Sequence, residues 1–365
     1  MTAVHGGRIF QFAREFAHDV NSVRDFSANI NPFGPPPFVV RAIEAALPLV
    51  RHYPDPSHEA VKEALSDRLS VPRDRIVCGN GAVEVMELVL RAIAPQRVYI
   101  LEPAFSEYAA LAARCGATVQ RLSAAFEPGS QAPPIPVPDG AAAGDVVIVN
   151  NPHNPTGTRW TAQQWQGAAA LWEARGAYTL FDESLIDFLD DAPQCTALQT
   201  EDRAERRIVV RSLTKMYAIP GLRFGYAVAP RAIAARIESN RDPWSVNVLA
   251  QAAATVALVE GFGFERGTRE RMREERTFVR GSWGAHRAVW LHEPHANFFL
   301  ARFASPSCAA CIVQEAAAQG AMLRECSSFA GLDGAHLRVA IRQHADNAWL
   351  WDLVAGLLDA RAECR

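Results

Sequence analysis

The sequence predicts an α/β protein: a large, mainly parallel sheet with helices on both faces, followed by a smaller α+β unit. Three observations carry this. Short β-branched or aromatic runs alternate with amphipathic helical windows through the middle of the chain. After about residue 245 the pattern changes to a long helical stretch and an antiparallel-looking pair over 289–303. Finally, 365 residues with 49% apolar composition exceed one ordinary domain and suffice for a large unit plus a small one.

In chain order, the first thirty residues hold a turn segment, Ser27-Ala-Asn-Ile-Asn-Pro-Phe-Gly34, and are expected to pack on the small unit. Strands are expected at 75–78, 97–101, 117–122, 145–149, 178–181, 207–211 and 224–228, with helices at 82–93, 105–116 and 161–175 between them. The proline-rich stretch 127–140 reads as a surface loop. The organisation expected is therefore 1–30 as an amino-terminal segment, 31–245 as the large domain and 246–365 as the small one.

A net charge of -3 gives no basic field for nucleic acid, so an anion site must be local. No apolar run is long enough for a membrane span, and residues 1–8 lack the layout of a secretory signal, which places the protein in the cytoplasm. Seven cysteines, an odd and scattered set, read as reduced thiols. Cys308-Ala-Ala-Cys311 has no second ligand pair at zinc spacing and reads as the start of a buried helix, so no metal is expected.

Two lysines, Lys62 and Lys215, stand among 37 basic residues. A chain that uses arginine wherever a fixed positive charge will serve keeps lysine where an amine must lose its proton. Lys62 reads as part of a solvated helix face. Lys215 lies in Arg211-Ser-Leu-Thr-Lys-Met-Tyr-Ala-Ile-Pro-Gly-Leu-Arg223, with hydroxyls nearby and a second cation eight residues on, and reads as a Schiff-base lysine beside a phosphate clamp.

Ligands bind at the carboxyl ends of strands in open α/β sheets. Asn150-Asn-Pro-His-Asn-Pro-Thr-Gly157, Asp182-Glu-Ser-Leu-Ile-Asp187 and Lys215 each follow a predicted strand. Pyridoxal 5'-phosphate needs a carboxylate on its ring nitrogen, a donor on its phenolic oxygen and a lysine amine. Asp182, Asn154 and Lys215 supply these. Its phosphate needs amides at a helix start and a cation, which Gly79-Asn80-Gly81-Ala82 with Ser212 and Arg223 can provide. Phe105 or Tyr108 can stack on the ring. Each piece alone has an ordinary explanation as a turn or helix cap; their joint order does not.

On these motifs the chain resembles the fold-type-I pyridoxal-phosphate enzymes of the aspartate aminotransferase superfamily. The resemblance implies that Asn154 contacts the phenolic oxygen, Asp182 the ring nitrogen, and Ser212 and Arg223 the phosphate, with Lys215 as the Schiff-base lysine. It also implies a homodimer in which Tyr53, from Arg51-His-Tyr-Pro-Asp-Pro56, reaches the neighbouring subunit's cofactor phosphate. Two branches compete, the histidinol-phosphate aminotransferases and the threonine-phosphate decarboxylases that serve cobalamin biosynthesis. His5-Gly-Gly7, Asp25-Phe-Ser-Ala-Asn-Ile-Asn-Pro-Phe-Gly34, the Lys215 stretch, Pro243-Trp-Ser-Val-Asn247 and His336-Leu-Arg-Val-Ala-Ile-Arg342 are similar to the decarboxylases.

The aminotransferase branch has a tyrosine three residues after the ring-nitrogen aspartate, and the decarboxylase branch a phenylalanine; here the position is Leu185, which also lacks the hydroxyl. The expected activity is decarboxylation of L-threonine O-3-phosphate to 1-aminopropan-2-ol phosphate. The alternative is a transaminase acting on histidinol phosphate with 2-oxoglutarate; a non-catalytic regulatory role fits poorly with an intact lysine. A small phosphorylated amino acid needs several cations, and Arg324, Arg338 and Arg342 are expected to bind it. His5, Asn31 and Asn154 are further candidates for substrate contact. Residue types and spacing do not separate the two reactions, because both use the same cofactor groups.

Overall fold

The computed structural model describes residues 6–130, 132–198 and 205–360. A short first strand, β1 (Arg24–Asp25), precedes seven that form one sheet: β2 (Ile76–Gly79), β3 (Arg97–Glu102), β4 (Thr118–Ser123), β5 (Val146–Asn150), β6 (Tyr178–Asp182), β7 (Arg207–Arg211) and β8 (Gly225–Val228). Their order is β2-β8-β7-β6-β5-β3-β4. The sheet is parallel except at β8, which runs antiparallel to both β2 and β7. The sequence reading, a mainly parallel sheet, did not single out that strand.

Strand β5 is Val-Val-Ile-Val-Asn, buried throughout, as expected where helices cover both faces. The edge strand β4, Thr-Val-Gln-Arg-Leu-Ser, instead has half-buried Val119 and Leu122 among exposed polar residues, the composition of a protected edge. Helix Ala82–Ile93 buries Val85, Met86, Val89 and Leu90, a stripe at helical spacing. Helix Ala162–Ala174 starts with a capping box between Thr161 and Gln164 and buries Trp165, Ala169 and Trp172 at i, i+4 and i+7. Trp165 packs edge-on against Phe181 of β6 with centroids 4.8 Å apart. Each such fully buried side chain contributes about 2 to 3 kcal/mol from area alone.

The carboxyl-terminal part carries β9 (Trp290–Leu291), β10 (Phe298–Arg302), β11 (Ala321–Met322), β12 (Arg324–Glu325) and β13 (His336–Ala340). β12, β13, β10 and β9 form an antiparallel sheet in that order, flanked by helices Pro306–Ala318 and His344–Ala360. β1 pairs in parallel with β11. Just beyond it, the Phe26 N–H donates to the Met322 carbonyl at 2.9 Å and the Ala340 N–H to the Phe26 carbonyl at 2.8 Å. The chain then crosses to the large sheet, where the Asn31 N–H donates to the Lys215 carbonyl at 3.0 Å.

Three expectations need correction. Lys62 is not a solvated residue: its Nζ lies 2.9 Å from Glu238, which also pairs with Arg241 at 2.9 Å, tying helix Glu59–Leu69 to helix Arg231–Glu238. The 127–140 stretch is only partly surface, because Ile135 is buried and the Pro133 carbonyl accepts from the Trp160 indole at 2.7 Å. Cys308 is disulfide-bonded, while Cys78, Cys115, Cys195, Cys311 and Cys326 are free. Among the described residues no cluster could hold a metal and no single helix is long and apolar enough to cross a membrane.

Candidate active site

A cavity of about 260 Å³ lies over the carboxyl ends of β3, β5 and β6 and is closed from above by the 27–30 segment, Arg324, Phe329 and Arg338. The strand order makes this the place where the chain reverses direction across the sheet, with β5 returning to the opposite side of β3 from β4. Asp182, the last residue of β6, is the cavity's only carboxylate among the described lining residues; Lys215, Arg324 and Arg338 are its cations. The site is therefore built for anions.

Lys215 sits in the short helix Leu213–Met216, whose amino end is capped by the Ser212 hydroxyl. Its Nζ lies 3.5 Å from Ser212 Oγ. Burial lowers its pKa to about 8; the Arg223 charge adds to that and Asp182 opposes it. A substantial neutral fraction at mild pH is what an amine nucleophile requires.

A chain of amides fixes the cavity floor. The Asn150 side-chain amide donates to the Asp182 carbonyl at 2.9 Å, and Asn150 Oδ1 accepts from the Asn154 backbone N–H at 2.8 Å. Asn154 Oδ1 accepts from Arg338 at 2.8 Å. Arginine only donates, so the amide oxygen must face it and the Asn154 NH₂ is left to donate elsewhere in the cavity. Asp182 itself accepts from Tyr108 Oη at 2.6 Å and from the Ser184 N–H at 3.0 Å.

The start of helix Ala82–Ile93 is shaped by close approach. Gly81 has φ +94°, and a Cβ there would strike the Arg223 guanidinium; a Cβ at Gly225 would strike the backbone of Ala82. Glycine at both places lets Arg223 and β8 close on the start of helix Ala82–Ile93, whose free N–H groups favour an anion. Ala82 lines the cavity, Gly79 ends β2 beside it, and the exposed Asn80 donates its N–H to Glu84. The residues present thus fit pyridoxal phosphate on the donor chemistry and on this glycine-shaped cradle.

Phe105, half-buried, and Tyr108, buried, both line the cavity, with ring planes at 86°. Arg338 is buried, and its Nε has no partner among the described residues. Burial lowers its pKa to about 10, so it remains charged at neutral pH. Arg324 is held by Ser328 Oγ at 2.7 Å and lies over the Phe329 ring at 5.1 Å.

Two expected substrate residues are placed elsewhere. Arg342 is turned to Asp346 at 2.9 Å and to the Asp25 carbonyl at 3.2 Å, and does not line the cavity. Asn31 donates to the Met216 carbonyl at 2.7 Å and to Thr268 Oγ1 at 3.1 Å, so its side chain braces the lysine loop from behind. Asn29 lies two residues earlier, lines the cavity, and has a buried Oδ1 with no partner among the described residues. Residue type does not tell the two asparagines of Asn29-Ile-Asn31 apart, and the fold turns Asn29 into the cavity and Asn31 toward Met216 and Thr268. Tyr53 is 80% exposed, away from the cavity, with its ring 4.8 Å from that of Trp244. His5 lies outside the described residues.

The family model for aminotransferase class I and II matches residues 21–349. The threonine-phosphate decarboxylase of Salmonella typhimurium is 32% identical over 347 residues, 94% of each chain. A histidinol-phosphate aminotransferase of Methanocella arvoryzae is 28% identical over 362 residues, 98% of this chain and 96% of that one. The crystal structure of the histidinol-phosphate aminotransferase from Clostridium acetobutylicum superposes with a TM-score of 0.81 at 25% identity, covering 93% of this chain and 100% of that one. The chain thus belongs to the aminotransferase class I and II family, with the fold-type-I architecture, and is a pyridoxal-phosphate-dependent enzyme.

Proposed function

We propose that the enzyme decarboxylates L-threonine O-3-phosphate without an oxo-acid acceptor. The observation that carries the reading is the pair of buried arginines, Arg324 and Arg338, over a cavity with one carboxylate, a match for a substrate bearing both a carboxylate and a phosphate. The similarity to a threonine-phosphate decarboxylase over nearly the whole chain supports it, as does Leu185, which gives the cavity an apolar wall without a hydroxyl.

Bound pyridoxal phosphate supplies an aldehyde for the substrate amine and a ring that accepts the electron pair released at Cα. The protein decides which bond at Cα breaks. Arg338, fixed through Asn154 Oδ1 and the Ser27 carbonyl, would hold the substrate carboxylate and so select the bond to it for cleavage. Arg324 and the Asn29 amide take the phosphate end. The Asn154 NH₂ would donate to the cofactor's phenolic oxygen and Asp182 would hold its ring nitrogen. Lys215, whose amine would hold the cofactor when no substrate is bound, would serve as the proton donor to the substrate Cα once carbon dioxide has left. Leu185, Met86 and Phe329 exclude water.

We also infer a homodimer in which Tyr53 reaches the neighbouring cofactor phosphate. Leu47, Leu49, Val50, Val259 and Phe262 are exposed apolar residues, and Leu49 and Val259 line one cavity with Tyr53. Residues 31–245 and 246–365 are taken as its two domains, with the amino-terminal segment on the second, which the β1–β11 pairing supports.

The test is to incubate purified enzyme with L-threonine O-3-phosphate and no oxo acid. Carbon dioxide and aminopropanol phosphate are the expected products. No product there, with glutamate formed from histidinol phosphate and 2-oxoglutarate, overturns the reading and leaves the alternative transaminase.

A further inference from the structure

A carboxylate joined to its backbone by one methylene turns easily about its last torsion, which has a broad, two-fold profile. The Ser184 N–H, two residues further along the same loop, steadies Asp182 Oδ1 at 3.0 Å. Oδ2 is met at 2.6 Å by a group from a different element, the hydroxyl of Tyr108 in helix Glu107–Arg114. That tyrosine is 2% exposed and packs in the core between this helix and the sheet, so the donor cannot follow the carboxylate if it swings. Burial and the Asp182 charge push its pKa well above the ordinary tyrosine value, so the phenol stays protonated and donates. With its hydroxyl committed and its plane at 86° to that of Phe105, Tyr108 is not the ring that lies on the cofactor.

We propose that Tyr108 is a positioning residue for the cofactor: its hydroxyl locks the plane of the Asp182 carboxylate, leaving one lone pair aimed at the pyridine nitrogen. This rests on the reading that Asp182 faces that nitrogen. Phe105 is then the stacking ring, and the two aromatics of Pro103-Ala-Phe-Ser-Glu-Tyr108 have divided duties three residues apart.

The test uses holoenzyme carrying Tyr108→Phe, Asp182→Asn or both, and reads the pH midpoint of the bound cofactor's visible absorbance and the dissociation constant of pyridoxal phosphate. Tyr108→Phe keeps the ring and removes one oxygen. It is expected to move the midpoint and to weaken cofactor binding about tenfold, the effect of losing one hydrogen bond to a charged group. In the Asp182→Asn background the same change should alter the dissociation constant by less than about twofold, because the partner charge is gone. Should Tyr108→Phe fold poorly, Tyr108→His, which keeps a ring N–H donor, must retain the wild-type midpoint. An unchanged midpoint in Tyr108→Phe, or an equal loss in both backgrounds, overturns the proposal. A silent Asp182→Asn variant overturns it at its base, by removing Asp182 from the ring nitrogen, whatever the substrate proves to be.

Discussion

With its pKa lowered from 10.5 to about 8, the Lys215 amine is about half neutral at pH 8, whereas an ordinary lysine there is roughly 0.3% neutral, a difference of about 150-fold in nucleophile. The chain suits a direct measurement, since Lys62 is the only other lysine. Apoprotein is pulsed with trinitrobenzenesulfonate at a series of pH values, and modification of the Lys215 peptide is compared with that of a free lysine analogue. The lowered group loses its proton as pH rises, so its rate should climb to a plateau above about pH 8 while the analogue keeps rising toward its ordinary value. Arg223→Gln removes a cation that lowers the pKa and should move the inflection up; Asp182→Asn removes an anion that raises it and should move the inflection down. A Lys215 profile parallel to the analogue, with no inflection below about pH 10, would refute the reasoning.

Replacing Gly81 with Ala places a methyl against the Arg223 guanidinium at a strained φ, and equilibrium dialysis should show pyridoxal phosphate bound at least about tenfold more weakly by a folded protein. Arg338→Lys keeps a charge but loses the fork that spans Asn154 Oδ1 and the Ser27 carbonyl, and steady-state kinetics should show kcat/KM down roughly 10- to 100-fold. Asn31→Ala breaks the bonds to Met216 and Thr268 behind the lysine loop; urea unfolding should report a loss of about 1 to 3 kcal/mol, while Asn29→Ala should raise KM with little change in stability.

Much of the large sheet was legible because its strands are short apolar runs bounded by turns. The expected 207–211 strand and 82–93 helix match Arg207–Arg211 and Ala82–Ile93. Most other strands extend one residue later than read, to Gly79, Glu102, Ser123, Asn150 and Asp182, because pairing continues into the small or polar residue where ligand chemistry begins. The antiparallel direction of β8 was not legible, since a buried run carries no sign of its orientation. In the site, Lys215, Asp182, Asn154, Arg324 and Arg338 share the cavity as their motifs suggested. Arg342 and Asn31 do not, for a simple reason: sequence shows a donor, but not that Asp346 or the Met216 carbonyl already occupies it.

Because β8 runs back against its neighbour β7, the chain from Lys215 to Arg223 turns at one end of these two strands without crossing the sheet. Pro220–Leu222 forms a single turn of 3₁₀ helix, and Arg223 follows with φ +61° before β8 begins at Gly225. The distance between the Lys215 amine and the Arg223 guanidinium is therefore set by a ruler of fixed length. Extra residues in the 127–140 loop would add slack far from the chemistry, but one inserted residue between 216 and 222 would shift Arg223 away from Gly81 or push β8 out of register.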